Sequence, residues 1–211
     1  MKIIDLTHIV SADMPVYPGT EQPVFITGCS IDEIGFLEKK ITMYSHTGTH
    51  VDAPAHLIKN HKTLDLLPIN HFYGPALMLD FQNLGSDVID VADLEPYSKD
   101  LNAIEFLLIH TGWGKHWGSE KYYSGYSVLS LKAANWLSGF MLKGVGLDTI
   151  SADRANTQDY PVHKTFLQKD ILIIENLKNL PSLPRSIFNF SCFPIKFQDA
   201  DGSPVRAVAY I

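Results

Sequence analysis

The chain has 211 residues, 45% hydrophobic and 19% charged, and its 17 Lys+Arg against 23 Asp+Glu give a formal charge of −6. A chain of this length buries roughly 70% of the surface it exposes when unfolded, which excludes disorder over most of it and removes the need for a structural metal or disulfide. An acidic balance with no basic block excludes the footprint of a nucleic-acid binder, and no apolar run nears the ~20 residues that span a membrane, so the expected partner is a small molecule.

Short apolar runs rich in β-branched residues predict strands at residues 2–6, 41–45, 76–81, 104–111, 144–150, 171–175, 186–190 and 205–211. Helical spacing predicts a short helix at 93–97 and a longer one at 130–141, where Leu131, Ala134, Leu137 and Met141 share a face behind Ser127 or Ser130 as N-cap; residues 164–169 read as one helical turn. Only the second reaches three turns, so the expected fold is a mixed, strand-rich α/β domain over residues 1–211. No composition shift divides it. The opening Met1-Lys2-Ile3-Ile4-Asp5 lacks the pattern of a secretory signal, so the expected location is cytoplasmic. Cys29 and Cys192 form no CxxC pair and read as reduced thiols. A charged fraction under the ~25% usual in soluble domains fits a surface partly covered by other copies of the chain.

The strongest signal is Ser45-His46-Thr47-Gly48-Thr49-His50-Val51-Asp52-Ala53-Pro54-Ala55-His56, which gathers three of the chain's nine histidines and an aspartate. Imidazole nitrogen with carboxylate oxygen suits Zn²⁺, Mn²⁺ or Fe²⁺. Gly48, Pro54 and the β-branched Thr47, Thr49 and Val51 oppose a helix here. A straight strand fails as well, since four residues span ~13 Å. The chain must therefore reverse between His46 and His50, for which Gly48 is suited, and then extend so that His50 and Asp52 share a face. His163, and Glu175 at the end of an apolar strand, are the best distant candidates for further ligands, because a buried carboxylate needs a partner. The alternative is a hydrogen-bonded polar cluster without metal. His61, His71, His110 and His116 read as ordinary residues, and Asp148 and Asp153 as capping or loop groups.

The segment His46 to His56 matches HxGTHxDxPxH and resembles the signature of the cyclase-like metal-dependent hydrolases, which include bacterial kynurenine formamidases and isatin hydrolases. The resemblance continues through Ile4-Asp5-Leu6-Thr7, Tyr17-Pro18-Gly19, Thr111-Gly112-Trp113, Gly146 to Asp153, Ile173 to Leu177 and Asp201 to Ala207. It implies a swivelling β/β/α domain, a homodimer or homotetramer, and one or two divalent ions per subunit, zinc or manganese. It further implies His46, His50 and Asp52 as metal ligands, His163 and Glu175 completing a second ion, and His56 as the acid/base residue. The implied activity is hydrolysis of an amide or cyclic amide of a small aromatic substrate, with kynurenine formamidase proper, or a noncatalytic metal- or ligand-binding protein, as alternatives. Tyr17, Phe36 and Trp113 are the expected aromatic contacts. Tyr17-Pro18-Gly19-Thr20 and Ser151-Ala152-Asp153-Arg154 depart from the formamidase forms Trp-Pro-Gly-Asp and Ser-Val-Asp-Pro, in segments expected to touch substrate.

Overall fold

The computed structural model describes residues 1–211. Its strands are β1 (Ile3–Asp5), β2 (Val24–Cys29), β3 (Glu38–Thr42), β4 (His50–Asp52), β5 (Tyr73–Asp80), β6 (Val88–Ile89), β7 (Phe106–His110), β8 (Val128–Leu129), β9 (Gly144–Leu147), β10 (Leu172–Glu175), β11 (Phe188–Ser191), β12 (Gly202–Pro204) and β13 (Val208–Tyr210). The helices are α1 (Ile31–Ile34), α2 (Val91–Leu94), α3 (Ser98–Leu101), α4 (Leu131–Leu137) and α5 (Pro161–Leu167). Nine strands form one mixed sheet in the order β1-β13-β11-β5-β7-β9-β10-β4-β12. Its centre, β5-β7-β9-β10, is parallel. The fold is therefore mixed α/β and strand-rich.

The sheet is curled, as chain length requires. Laid flat at ~4.8 Å per strand, β12 and β13 would stand about 34 Å apart. Only residues 205–207 join them, and that step from Pro204 to Val208 spans at most about 14 Å. The β1 edge is also tied to the far half of the sheet: Lys178 N–H donates to the Leu6 carbonyl, and Thr7 bridges Leu177 just beyond β10.

Parallel central strands are buried on both faces, so they read as continuous apolar runs. On β7, Phe106 and Leu108 enter one core with Val51, Ala76, Met78, Ile174 and Phe190. Leu107 and Ile109 enter the other, which α4 and α5 cover through Ala134, Leu137, Val162 and Phe166. Each of these side chains larger than alanine contributes roughly 1.5–3 kcal/mol by leaving water.

The predicted strands at 2–6, 76–81, 104–111, 144–150, 171–175, 186–190 and 205–211 each contain or overlap an observed one. The 41–45 strand lies instead at Glu38–Thr42, paired with the unpredicted β2 in an exposed arm. The predicted helix 130–141 stops at Leu137: Ser130 caps it, accepting from the Ala133 N–H at 2.9 Å, but Ser138-Gly139 ends it, and Met141 lies exposed outside. The 164–169 turn begins earlier, at Pro161, where a missing N–H is harmless in a first helical turn. The 93–97 helix is a broken run, α2, a 3₁₀ turn and α3. No helix is long and apolar enough to cross a membrane.

One loop histidine carries a pH consequence. His8 stacks on Trp117, with ring centroids 3.8 Å apart and planes 11° from parallel, and its Nε2 is buried without a partner. Burial first, and then the charge of Lys178, push its pKa down to about 4. The unfolded chain, with His near ~6.5, takes up a proton that the folded chain refuses, so this contribution to stability is complete above ~6.5 and declines as pH falls toward 4. Urea unfolding at pH 7.5 and 5.0 should show a smaller loss on acidification in His8→Gln than in the parent; an equal loss would refute this role for His8.

Candidate metal centre and active site

The sequence folds around β4, whose three residues are all buried. Gly48 takes φ +67° and reverses the chain, bringing the His46 and His50 rings to 5.1 Å between centroids. Beyond it the strand alternates: Val51 enters the apolar core, while His50 and Asp52 face the other way. Pairing then supplies the rest. His50 sits opposite Glu175 on β10, and Asp52 sits opposite Gly202 on β12. His163 comes from the first turn of α5, where Asp153 accepts from the Val162 and His163 N–H groups at 3.0 Å each and holds His163 Nδ1 at 2.7 Å.

These placements converge on two carboxylates. Asp52 Oδ1 is 2.7 Å from His46 Nδ1 and 3.2 Å from His50 Nε2, and its Oδ2 is 3.6 Å from His163 Nε2. Glu175 lies 3.2 Å from His163 Nε2 and 3.5 Å from His50 Nε2. The outer nitrogen of each deep imidazole is fixed, His50 Nδ1 by the Gly48 carbonyl at 2.9 Å and His163 Nδ1 by Asp153, so both turn Nε2 inward. That is how proteins orient metal-binding histidines. Asp201 joins at the rim, 3.0 Å from His46 Nε2 and 3.7 Å from His56 Nδ1.

The donors fit a divalent cation. Asp52 and Glu175 are almost fully buried, and such charges are tolerated only when paired or metal-bound. Burial lowers the pKa of His46 and His163, yet the carboxylates around them win. Asp52 and Asp201 raise His46 to about 10, and Asp153, Glu175 and Asp52 raise His163 to about 10. The pocket thus demands positive charge, which a cation would provide in place of those protons. Ligand atoms of His50, Asp52 and Glu175 lie within 4.8 Å of one another, and so do those of His46, Asp52 and His56. The two sets share Asp52.

The cluster floors a cavity of about 340 Å³ walled by Tyr17, Tyr44, Leu57, Ile150 and Tyr160. His56 lines it, with its ring 4.0 Å from that of His46; burial, with the charges of His46 and His163, holds its pKa below the usual value against the pull of Asp52 and Glu175. Burial and then the neighbouring Tyr160 phenol push the Tyr17 hydroxyl up to about 12.

All six residues expected at the metal or as acid/base thus stand together, and Tyr17 stands with them. Two expected aromatic contacts do not. Trp113 packs beside Tyr126 and donates from Nε1 to the Tyr122 carbonyl at 3.1 Å, and Phe36 is exposed on the β2-β3 arm outside this cavity. Asp201 and Tyr160 also stand here without having been expected, and Asp153, expected only as a capping or loop group, holds His163. Asp201-Gly202 lay in the quoted motifs, but nothing local marks an aspartate for a pocket 145 residues away from His56. Asp148 is a loop group as expected, accepting from the Thr111 N–H and hydroxyl at 2.9 and 2.6 Å.

Gly202 gives a test of the geometry. A Cβ there would lie 2.5–2.9 Å from three atoms of the His46 ring. Gly202→Ala should therefore displace His46 and weaken zinc binding at least tenfold by competition titration, with little change in far-UV circular dichroism; unchanged affinity would show that His46 contributes nothing to binding.

Comparison with known proteins agrees. Residues 4–154 match the Cyclase family model, described as "Putative cyclase". The kynurenine formamidase of Bacillus cereus is 31% identical over 206 residues, 97% of this chain and 95% of the relative. An isatin hydrolase bound to the product analogue thioisatinate superposes with a TM-score of 0.90 at 20% identity, over all of this chain and 92% of the other. A protein described as a "predicted metal-dependent hydrolase" from Bacillus stearothermophilus gives 0.81 at 27% identity, over 99% of this chain and 97% of the other. In sequence over most of its length and in fold over all of it, the chain belongs to the cyclase family of hydrolases.

Proposed function

We propose that the chain hydrolyses the carbon–nitrogen bond of a small amide or lactam, with His46, His50, Asp52, His163 and Glu175 holding one or two divalent ions, zinc before manganese. The observation that carries this reading is His56, an imidazole on the cavity wall beside the donor set, its ring 4.0 Å from that of His46. A purely binding site has no need of such a base. The relatives named kynurenine formamidase support an aryl formamide as substrate, and kynurenine formamidase proper is the finest form of the proposal. The swivelling β/β/α description belongs with it, supported by a curled sheet with helices against one face.

His46, His50, Asp52, His163 and Glu175 would hold the cation, which would supply Lewis acidity when bound, lowering the pKa of water from near 16 toward ~7. His56 takes the proton from the attacking water and returns it to the leaving nitrogen, so that the amine departs neutral. Asp201, 3.7 Å from His56 Nδ1, steadies the imidazolium between the two transfers. Leu57, Ile150, Tyr17 and Tyr160 close the wall against bulk water.

His56→Ala should keep its metal by elemental analysis yet lose about 10²–10⁴-fold in kcat, whereas Asp52→Ala should lose metal and activity together. Full turnover in His56→Ala would remove its proposed role. Chelation followed by zinc or manganese addition identifies the ion that restores turnover.

The same reading includes a homodimer or homotetramer. The β2-β3 arm pairs only with itself, and it exposes Val24, Ile26, Ile31, Ile34, Phe36, Leu37 and Ile41. A two-stranded hairpin is marginal alone, and an apolar surface of that extent is a contact face. Thr20 and Tyr44, which flank the arm, also line the cavity, so a second copy packed on it would stand next to the site. Light scattering should give a dimer or larger, and Phe36→Glu with Leu37→Glu should shift it to monomer; a monomeric parent protein would end this part of the proposal.

A further inference from the structure

A second cavity, of about 460 Å³, lies at the carboxyl ends of the parallel strands, the edge at which α/β sheets present groups to ligands. It shares no lining residue with the metal-floored cavity: Glu175 and Asn176 line that one, whereas Leu177 and Lys178, next along the chain, line this one. Pairing of β5 with β7 sets Asp80 beside His110, and pairing of β7 with β9 sets Ile109 beside Leu147. His110 and Asp148 therefore fall in one row at the strand ends. Both line the cavity, and both are more than nine-tenths buried, His110 at 5% exposure and Asp148 at 3%.

The two side chains are held from behind. Asp80 Oδ1 lies 2.9 Å from His110 Nδ1, and Asp80 is itself gripped by Gln82 and Arg185. Nε2 is left as the ring nitrogen without a hydrogen bond, 3.9 Å from Asp148 Oδ2. A carboxylate behind the far nitrogen fixes the imidazole and favours its charged form when an anion arrives in front. Asp148 accepts at Oδ1 from the Thr111 N–H and hydroxyl, and at Oδ2 from the Gly114 N–H at 3.3 Å. Exposed Lys115 and half-buried Lys178 add two cations to the wall. Together these groups attract an oxyanion, and ammonium groups act on phosphate as compact point charges where arginine would offer a planar fork. Asp148 narrows the choice further. A carboxylate only accepts hydrogen bonds, so it repels an oxyanion without a proton and binds one that keeps an O–H. Phosphate keeps such a proton near neutral pH, and sulfate does not.

We propose that this cavity is a phosphate-binding site, in which Lys115 and Lys178 balance the charge, His110 donates from Nε2 and Asp148 accepts the remaining O–H of the phosphate. The site does not depend on the hydrolase reading. Its volume is in the range of small-molecule pockets and exceeds that of the ion alone, so free phosphate and a small phosphate monoester are two sources of the same chemistry.

Calorimetry on the purified protein at pH 6.5 and constant ionic strength tests this, with inorganic phosphate, phenyl phosphate and sulfate as probes. Phosphate should occupy one saturable site, and sulfate should bind at least tenfold more weakly. Whichever of inorganic phosphate and phenyl phosphate binds more tightly identifies the source. Lys115→Ala combined with Lys178→Ala should weaken phosphate at least tenfold while urea unfolding and metal content stay those of the parent. His110→Gln, which removes the Nε2 donor by a separate route, should weaken it several-fold. Unchanged affinity in either variant would overturn the proposal, as would the absence of saturable binding or equal affinity for sulfate. Phosphate binding that persists in the lysine variant and disappears on chelation would be binding to the metal, which equally overturns it.

Discussion

Two carboxylates buried side by side govern this structure. Asp52 and Glu175 lie on neighbouring strands with almost no solvent to share, and an unbalanced charge at either position would cost several kcal/mol. The surrounding polar groups are arranged around that fact. The Ala152 N–H donates to Glu175 Oε1 at 2.9 Å, three imidazoles face the pair, and Asp153 fixes the third of them. A further chain runs from the Tyr122 hydroxyl to Asn176 Oδ1 at 2.7 Å, from Asn176 Nδ2 to the Gly48 carbonyl at 2.8 Å, and from that carbonyl to His50. Partners of this order in the second rank are what lock a donor atom in place, since an imidazole with a free outer nitrogen can swing.

That constraint explains why the site was more legible than the fold. His46, His50, Asp52 and His56 are close in sequence, and the chemistry of a turn at Gly48 with one extended face beyond it can be worked out locally. His163 and Glu175 were visible by composition, as a histidine beside a predicted helical turn and a carboxylate ending an apolar strand. Asp201 and Gly202 contribute through pairing across the sheet, and Gly202 by having no side chain at all. Neither property has a local signature.

The elements follow the same division. Central strands such as β7 and β10 are buried on both faces and announce themselves as apolar runs. β12 is Gly202-Ser203-Pro204, which propensity alone rejects as strand; it exists because β4 offers it a ladder at a sheet edge, the position where proline is tolerated. β2 escaped notice because its exposed residues alternate with nothing behind them, so no burial pattern marks it. Phe36 misled for a related reason: aromatic character alone cannot tell a pocket wall from an outward-facing arm. Trp113 went instead to a small aromatic core with Tyr122 and Tyr126.

The three residues that join β12 to β13 have a consequence for how the chain acquires its chemistry. Because they close the curled sheet, the pairing of β12 with β4 and that of β13 with β11 lie only three residues apart in the chain. The donors come from residues 46–56 and 163–175, more than a hundred residues apart in sequence, and they meet where β10 pairs with β4 and α5 brings His163 beside Glu175. Long-range closure of this sort is entropically slow. Partly folded chains in which β10 has not paired with β4 therefore lack the full donor set, and affinity for a cation becomes linked to completion of the native state, with each stabilising the other.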